Sequence, residues 1–152
     1  MSTFRSFEDF RPGDTLDLGA KTVTRDEIIA FARDFDPQPF HLDEAAGEAS
    51  LLGGLAASGW HTISMLMRLL CDNLLLASTC KGSPGVEEVR WMRPVHPGDR
   101  LSAKAEVLSA RALKSRPTLG LVEFLMTVTN QDGAPVMTQK NAILFERREA
   151  AA

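Results

Sequence analysis

Ser58-Gly59-Trp60-His61-Thr62-Ile63-Ser64-Met65-Leu66-Met67-Arg68-Leu69-Leu70-Cys71-Asp72-Asn73-Leu74-Leu75-Leu76, running on to Thr79, is the most apolar stretch of the chain, and its reading decides the fold. Its large apolar residues lie around most of a helix circumference, so the expectation is one long helix surrounded by protein. A membrane span is the competing reading. His61, Arg68, Asp72 and Asn73 interrupt the run and leave fewer than the roughly 20 consecutive apolar residues that a crossing requires. The helix therefore needs a cover made by the rest of the chain.

That cover is legible downstream. Beyond Gly82-Ser83-Pro84-Gly85 the pattern changes to strands, from Val86 to Met92, Arg100 to Leu113, Thr118 to Asn130 and Ala134 to Glu146. Pro97-Gly98-Asp99 and Gln131-Asp132-Gly133 supply turns between them. Upstream, Thr15-Leu16-Asp17-Leu18-Gly19 alternates at period two and reads as an edge strand opened by Pro12-Gly13-Asp14. Thr24 and Glu27 have capping-box spacing, and Ile28, Ile29, Phe31, Ala32 and Phe35 recur at helical intervals, which predicts a helix from Arg25 to Phe35 that Pro37 stops. Asp43-Glu44-Ala45-Ala46 suggests a further helical turn. An antiparallel sheet wrapped around one long helix is an α+β arrangement, expected here as a single domain over residues 1–152 with a frayed tail from Arg147 to Ala152.

Composition narrows the classes of function. A chain of 152 residues with 44% hydrophobic and 24% charged residues has the balance of a soluble globular protein. The net charge of −3 argues against nucleic acid as the main partner, which would call for a basic excess. Cys71 and Cys80 lack ligand spacing and read as reduced, buried thiols. Met1-Ser2-Thr3-Phe4-Arg5-Ser6 has no uninterrupted apolar core of a secretion signal, which makes the cytoplasm the expected compartment.

The chemistry concentrates in Asp36-Pro37-Gln38-Pro39-Phe40-His41. Each proline pushes the residue before it toward extended geometry, so Asp36 and His41 sit on a stiff connection between elements. This run, together with Ala57-Ser58-Gly59-Trp60 and Arg93-Pro94-Val95-His96-Pro97-Gly98-Asp99, resembles the MaoC-like hydratase/dehydratase family, which includes (R)-specific enoyl-CoA hydratases and has the hot-dog fold. Gln38 stands where that family's motif has Asn.

The resemblance implies an enzyme that adds water to an enoyl-CoA thioester or removes it from a 3-hydroxyacyl-CoA. It makes Asp36 and His41 the acid/base pair and gives the Gly59 N–H to the oxyanion hole, with Gln38, Ser58 and Trp60 as substrate-binding residues. A helix start suits the third role, since unpaired N–H groups and the positive dipole end face outward there. No metal or redox cofactor is implied, and coenzyme A enters only as part of the substrate. The expected partners are an acyl-CoA thioester and a second copy of the chain, as a homodimer or dimer of dimers, because one unit leaves a sheet edge open.

Other readings stay open. A hot-dog thioesterase would use a carboxylate to activate water against the carbonyl carbon, and a non-catalytic acyl-CoA-binding subunit would keep the fold alone. Gln38 orients a ligand or a loop carbonyl, or only closes the turn differently. Met65, Met67, Met92 and Met126 line an acyl tunnel or fill the core. Arg111, Lys114 and Arg116 meet coenzyme A phosphates or form a solvated turn. His61 is expected in the core or at a subunit contact, and His96 in an exposed connection.

Overall fold

The computed structural model describes residues 3–148. The elements follow in the order β1 (Thr15–Thr22), α1 (Arg25–Phe35), α2 (Glu44–Glu48), α3 (Gly59–Asn73), β2 (Cys80–Trp91), β3 (Arg100–Ala112), β4 (Leu119–Thr129) and β5 (Pro135–Glu146). The strands form one antiparallel sheet in the order β1-β3-β4-β5-β2, curled against α3. This is the hot-dog arrangement.

The period-two patterns of β3 to β5 explain the core. Leu101, Ala103, Ala105 and Val107 alternate inward on β3, Val122, Phe124, Met126 and Val128 on β4, and Ile143 and Phe145 on β5. They meet Met65, Leu66, Leu69 and Leu70 of α3, all nearly inaccessible. Phe10 closes one end by packing on Phe145, ring centroids 4.4 Å apart, and edge-on to Phe124 at 5.7 Å.

Helix α1 has the bounds expected from its local signals. The Thr24 hydroxyl accepts from Glu27 N, and the Glu27 carboxylate accepts from Thr24 N. Strand β1 lies at an edge of the sheet as expected, and a bulge lets it run on past Gly19, whose φ is 85°.

Four expectations need correction. Helix α3 ends at Asn73 instead of Thr79, because the Asn73 amide donates to Leu18 O at 2.6 Å and to Leu69 O at 3.0 Å, tying the helix end to β1. The helix is also not surrounded. The sheet covers one side only, which leaves Trp60 63% and Met67 46% exposed. Strand β2 begins at Cys80, and Gly82-Ser83-Pro84-Gly85 is part of it: bulges absorb the glycines, and the Ser83 hydroxyl donates to Ala142 O at 2.6 Å across the ladder. Both thiols are free, yet each is half-buried because Cys71 and Cys80 lie at the margin of the core.

Of the expected tail, Arg147 and Arg148 are held in place. Arg147 Nη1 donates to Pro117 O at 2.9 Å, and Arg148 pairs with Asp9 at 2.6 Å. Residues 149–152 lie outside the described residues, as do Met1 and Ser2. Among the described residues no helix is long and apolar enough to cross a membrane.

Candidate active site

Asp36 ends α1. Its N–H still donates to Ala32 O at 2.9 Å, and Pro37 prevents a further turn. A single 3₁₀ turn over Pro39–His41 then swings the histidine back, closed by His41 N to Gln38 O at 2.9 Å. Local proline chemistry thus brings two side chains five positions apart to 3.3 Å, His41 Nε2 to Asp36 Oδ2.

The strap from Leu55 to Ser58 fixes the tautomer of that histidine. It is fully buried and pinned from both sides, by Ala56 N to Phe40 O at 3.2 Å and Ala57 N to Val95 O at 2.8 Å. His41 Nδ1 lies 2.7 Å from Ala56 O. A carbonyl only accepts, so the proton resides on Nδ1 and the neutral ring presents its lone pair at Nε2, toward Asp36.

Both oxygens of Asp36 are also engaged. Ser58 Oγ donates to Oδ2 at 2.6 Å, and Gln38 Nε2 donates to Oδ1 at 2.7 Å. Burial pushes this carboxyl up. The hydrogen bonds that Ser58 and Gln38 donate are the main opposing causes, and the carboxyl lies below the ordinary carboxylate range. Asp36 is therefore an anion at neutral pH.

Asp36, His41, Gln38, Gly59 and Trp60 line one cavity of about 410 Å³, whose walls are Phe40, Leu52, Val95 and Val136. Five of the six candidate residues thus meet at one place. Ser58 is the exception, because it is wholly buried behind Asp36. Its hydroxyl accepts from Trp60 N at 3.3 Å as the cap of α3 and donates to the carboxylate. Among the described residues the Gly59 N–H meets no acceptor, which leaves a donor free at the positive end of a 15-residue helix.

The remaining expectations divide. Met92 lines the cavity, Met65 and Met126 are core, and Met67 is exposed. Arg111, Lys114 and Arg116 do not line the cavity. His61 is buried, stacked on Phe31 at 4.9 Å and 3.3 Å from Glu27. His96 is half-buried instead of exposed, since its Nδ1–H donates to Leu55 O at 3.0 Å and so steadies the strap. Among the described residues, no group of three or more His, Cys, Asp or Glu side chains is placed to hold a metal ion.

Among the lining residues that escaped the sequence reading, Trp91 makes the most specific contact. Trp91, at the end of β2, lays its indole on Gly59 and donates Nε1–H to Gly59 O at 3.0 Å. The glycine at position 59 hinted at a close approach, but that approach is made by a protein ring. Nothing local couples residues 32 positions apart.

The arrangement joins an ionised carboxylate, a neutral imidazole with its lone pair turned inward, and an unpaired N–H at a helix start. A crystal structure of a MaoC-like dehydratase from Rhodospirillum rubrum superposes with a TM-score of 0.87 at 41% identity, covering 95% of this chain and 98% of that one. The uncharacterized protein YdeM of Bacillus subtilis is 26% identical over 140 residues, 92% of this chain and 98% of its own. The mesaconyl-CoA hydratase of Cereibacter sphaeroides is 26% identical over 151 residues, 97% of this chain, although the match spans 43% of that enzyme. The MaoC like domain matches residues 8–129, and the chain belongs to this hydratase/dehydratase family.

Proposed function

We propose that the chain is a hydratase/dehydratase that adds water across the double bond of an enoyl-CoA thioester or removes it from a 3-hydroxyacyl-CoA. The observation that carries this reading is the 3.3 Å approach of His41 Nε2 to Asp36 Oδ2 on the cavity that the Gly59 backbone also lines. Two acceptors facing each other suit a water molecule that donates one hydrogen to each. Asp36 removes a proton as the water oxygen bonds to the β-carbon. His41 orients the water, and through the pair that proton is delivered to the α-carbon, so both residues end as they began.

During the step negative charge moves onto the thioester oxygen. The Gly59 N–H and the helix dipole stabilise it there without having to reorganise. Gln38 and Trp60 line the substrate space, and Ser58 acts through Asp36. Gln38 supports the carboxylate instead of displacing it, which favours turnover over a binding-only subunit.

The name of the Cereibacter sphaeroides relative supports a coenzyme A thioester as substrate. The reaction needs no metal or redox cofactor, and free thiols agree with a cytoplasmic setting. A homodimer is the favoured assembly, because the outer edge of β2 is unpaired among the described residues, and Trp60, Met67, Val86, Trp91 and Met92 are exposed on the same side.

The test is to incubate the purified chain with crotonyl-CoA, and with a branched or dicarboxylic enoyl-CoA, following double-bond absorbance and free thiol together. Loss of the double bond without thiol release supports hydration. Thiol release alone makes the chain a thioesterase instead.

A further inference from the structure

Trp91 is the one side chain of β2 that hydrogen-bonds the backbone of the first turn of α3 among the described residues. Two observations define the contact. The indole Nε1–H donates to Gly59 O at 3.0 Å, and the ring lies so close that a Cβ at position 59 would stand 2.5 Å from Cε2, 2.7 Å from Nε1 and 2.9 Å from Cζ2. Real Cβ atoms do not approach other atoms so closely. The ring also meets Trp60 edge-on, centroids 5.8 Å apart at 70°. Behind it, Trp91 pairs with Met137 of β5, so the indole is anchored on the sheet while it grips the helix start.

A helix start frays readily, because its first N–H groups lack partners within the helix. Here the first residue is glycine, which has the largest conformational freedom to lose. The Ser58 cap holds the peptide of Trp60 from inside, and Trp91 holds the carbonyl of Gly59 from outside. Both restraints act on the peptide that joins Gly59 to Trp60, which directly follows the Gly59 N–H in the chain.

We propose that Trp91 is a positioning residue for the reaction, fixing Gly59 so that its N–H stays directed at the oxygen on which charge develops. Gly59 is glycine because the indole occupies the volume of a side chain. The inference rests on the hydratase reading given above and adds a residue to it. Trp91 acts through Gly59, so its loss weakens the transition state more than ground-state binding.

The experiment compares wild type, Trp91→Phe, Trp91→Ala, Gly59→Ala and the double variant Gly59→Ala/Trp91→Ala in steady-state hydration of crotonyl-CoA, with a thermal melt of each. Removing an oxyanion donor outright costs about 10²-fold or more in kcat, so a donor left loose should cost roughly tenfold. Trp91→Ala is expected to lower kcat by about that factor with KM within about threefold, and Trp91→Phe, which keeps the ring and loses the N–H, to fall between. Gly59→Ala should be far more damaging with Trp91 in place than in the Trp91→Ala background.

Wild-type kcat in both Trp91 variants, a loss confined to KM, or an equal effect of Gly59→Ala in the two backgrounds would each overturn the inference while leaving hydration intact. Should Trp91→Ala fail to fold, Trp91→Phe decides by the same kcat criterion. A wild-type chain that hydrates no enoyl thioester removes both readings.

Discussion

Gln38 Nε2 donates to Asp36 Oδ1 at 2.7 Å, across a single intervening proline. The longer amide, standing where the family motif has Asn, reaches back to the carboxylate and helps keep it ionised, together with Ser58 and against the effect of burial.

Replacing Gln38 by Ala removes a donor to the charged form, so the pKa of Asp36 rises. A base must be ionised to act, and the acid limb of the kcat/KM profile is therefore expected to move to higher pH. The side chain is exposed, so the loss at neutral pH should be about tenfold at most. An unmoved acid limb would show that the amide does not act on Asp36.

Ser58→Ala should show two effects together. It removes the cap of α3, a loss of about 1 kcal/mol measurable by denaturant unfolding, and it takes the 2.6 Å donor from Asp36 Oδ2. The acid limb should shift in the same direction as for Gln38→Ala. Lost stability with an unchanged pH profile would confine Ser58 to capping.

His61 predicts a pH dependence of stability away from the cavity. Burial lowers its pKa from 6.5 against the opposing pull of Glu27, so the folded state binds this proton less well than the unfolded chain does. Stability from the neutral ring is fully present above that unfolded value and is lost as pH falls through and below it. Urea midpoints measured from pH 7.5 down to about 5 should fall for the wild type and fall less for His61→Gln. Equal slopes would place the acid sensitivity elsewhere.

How far the sequence could be read follows from the range of each signal. Helix α1 was readable at both ends because Thr24, Glu27 and Pro37 act on their neighbours, and the stiff connection that carries Asp36 and His41 was readable because each proline restrains the residue before it, whereas their pairing came from the family resemblance. The end of α3 was not, since Asn73 stops it by binding Leu18, 55 residues away. Gly82 and Gly85 have the composition of a turn, and only pairing with β5 makes them bulges in a strand. Trp91 was invisible for the same reason, and so was the second role of Ser58, which caps a helix locally and braces a carboxylate 22 residues earlier.

The exposed side of β2 and α3 yields an assembly prediction. The chain is expected to sediment as a dimer, and Val86→Glu or Met67→Glu, each introducing charge on that face, should shift it toward monomer. Activity should fall in parallel, because Trp60, Trp91 and Met92 belong both to that face and to the cavity. A fully active monomer would separate the site from the assembly.

The most direct measurement is the turnover of Asp36→Asn and His41→Asn in hydration of crotonyl-CoA, with folding checked by thermal melt. If the pair performs the acid/base work, each variant loses at least about 10²-fold in kcat while remaining folded. Full activity in either folded variant would contradict the assignment of that residue and, with it, the mechanism proposed for the cavity.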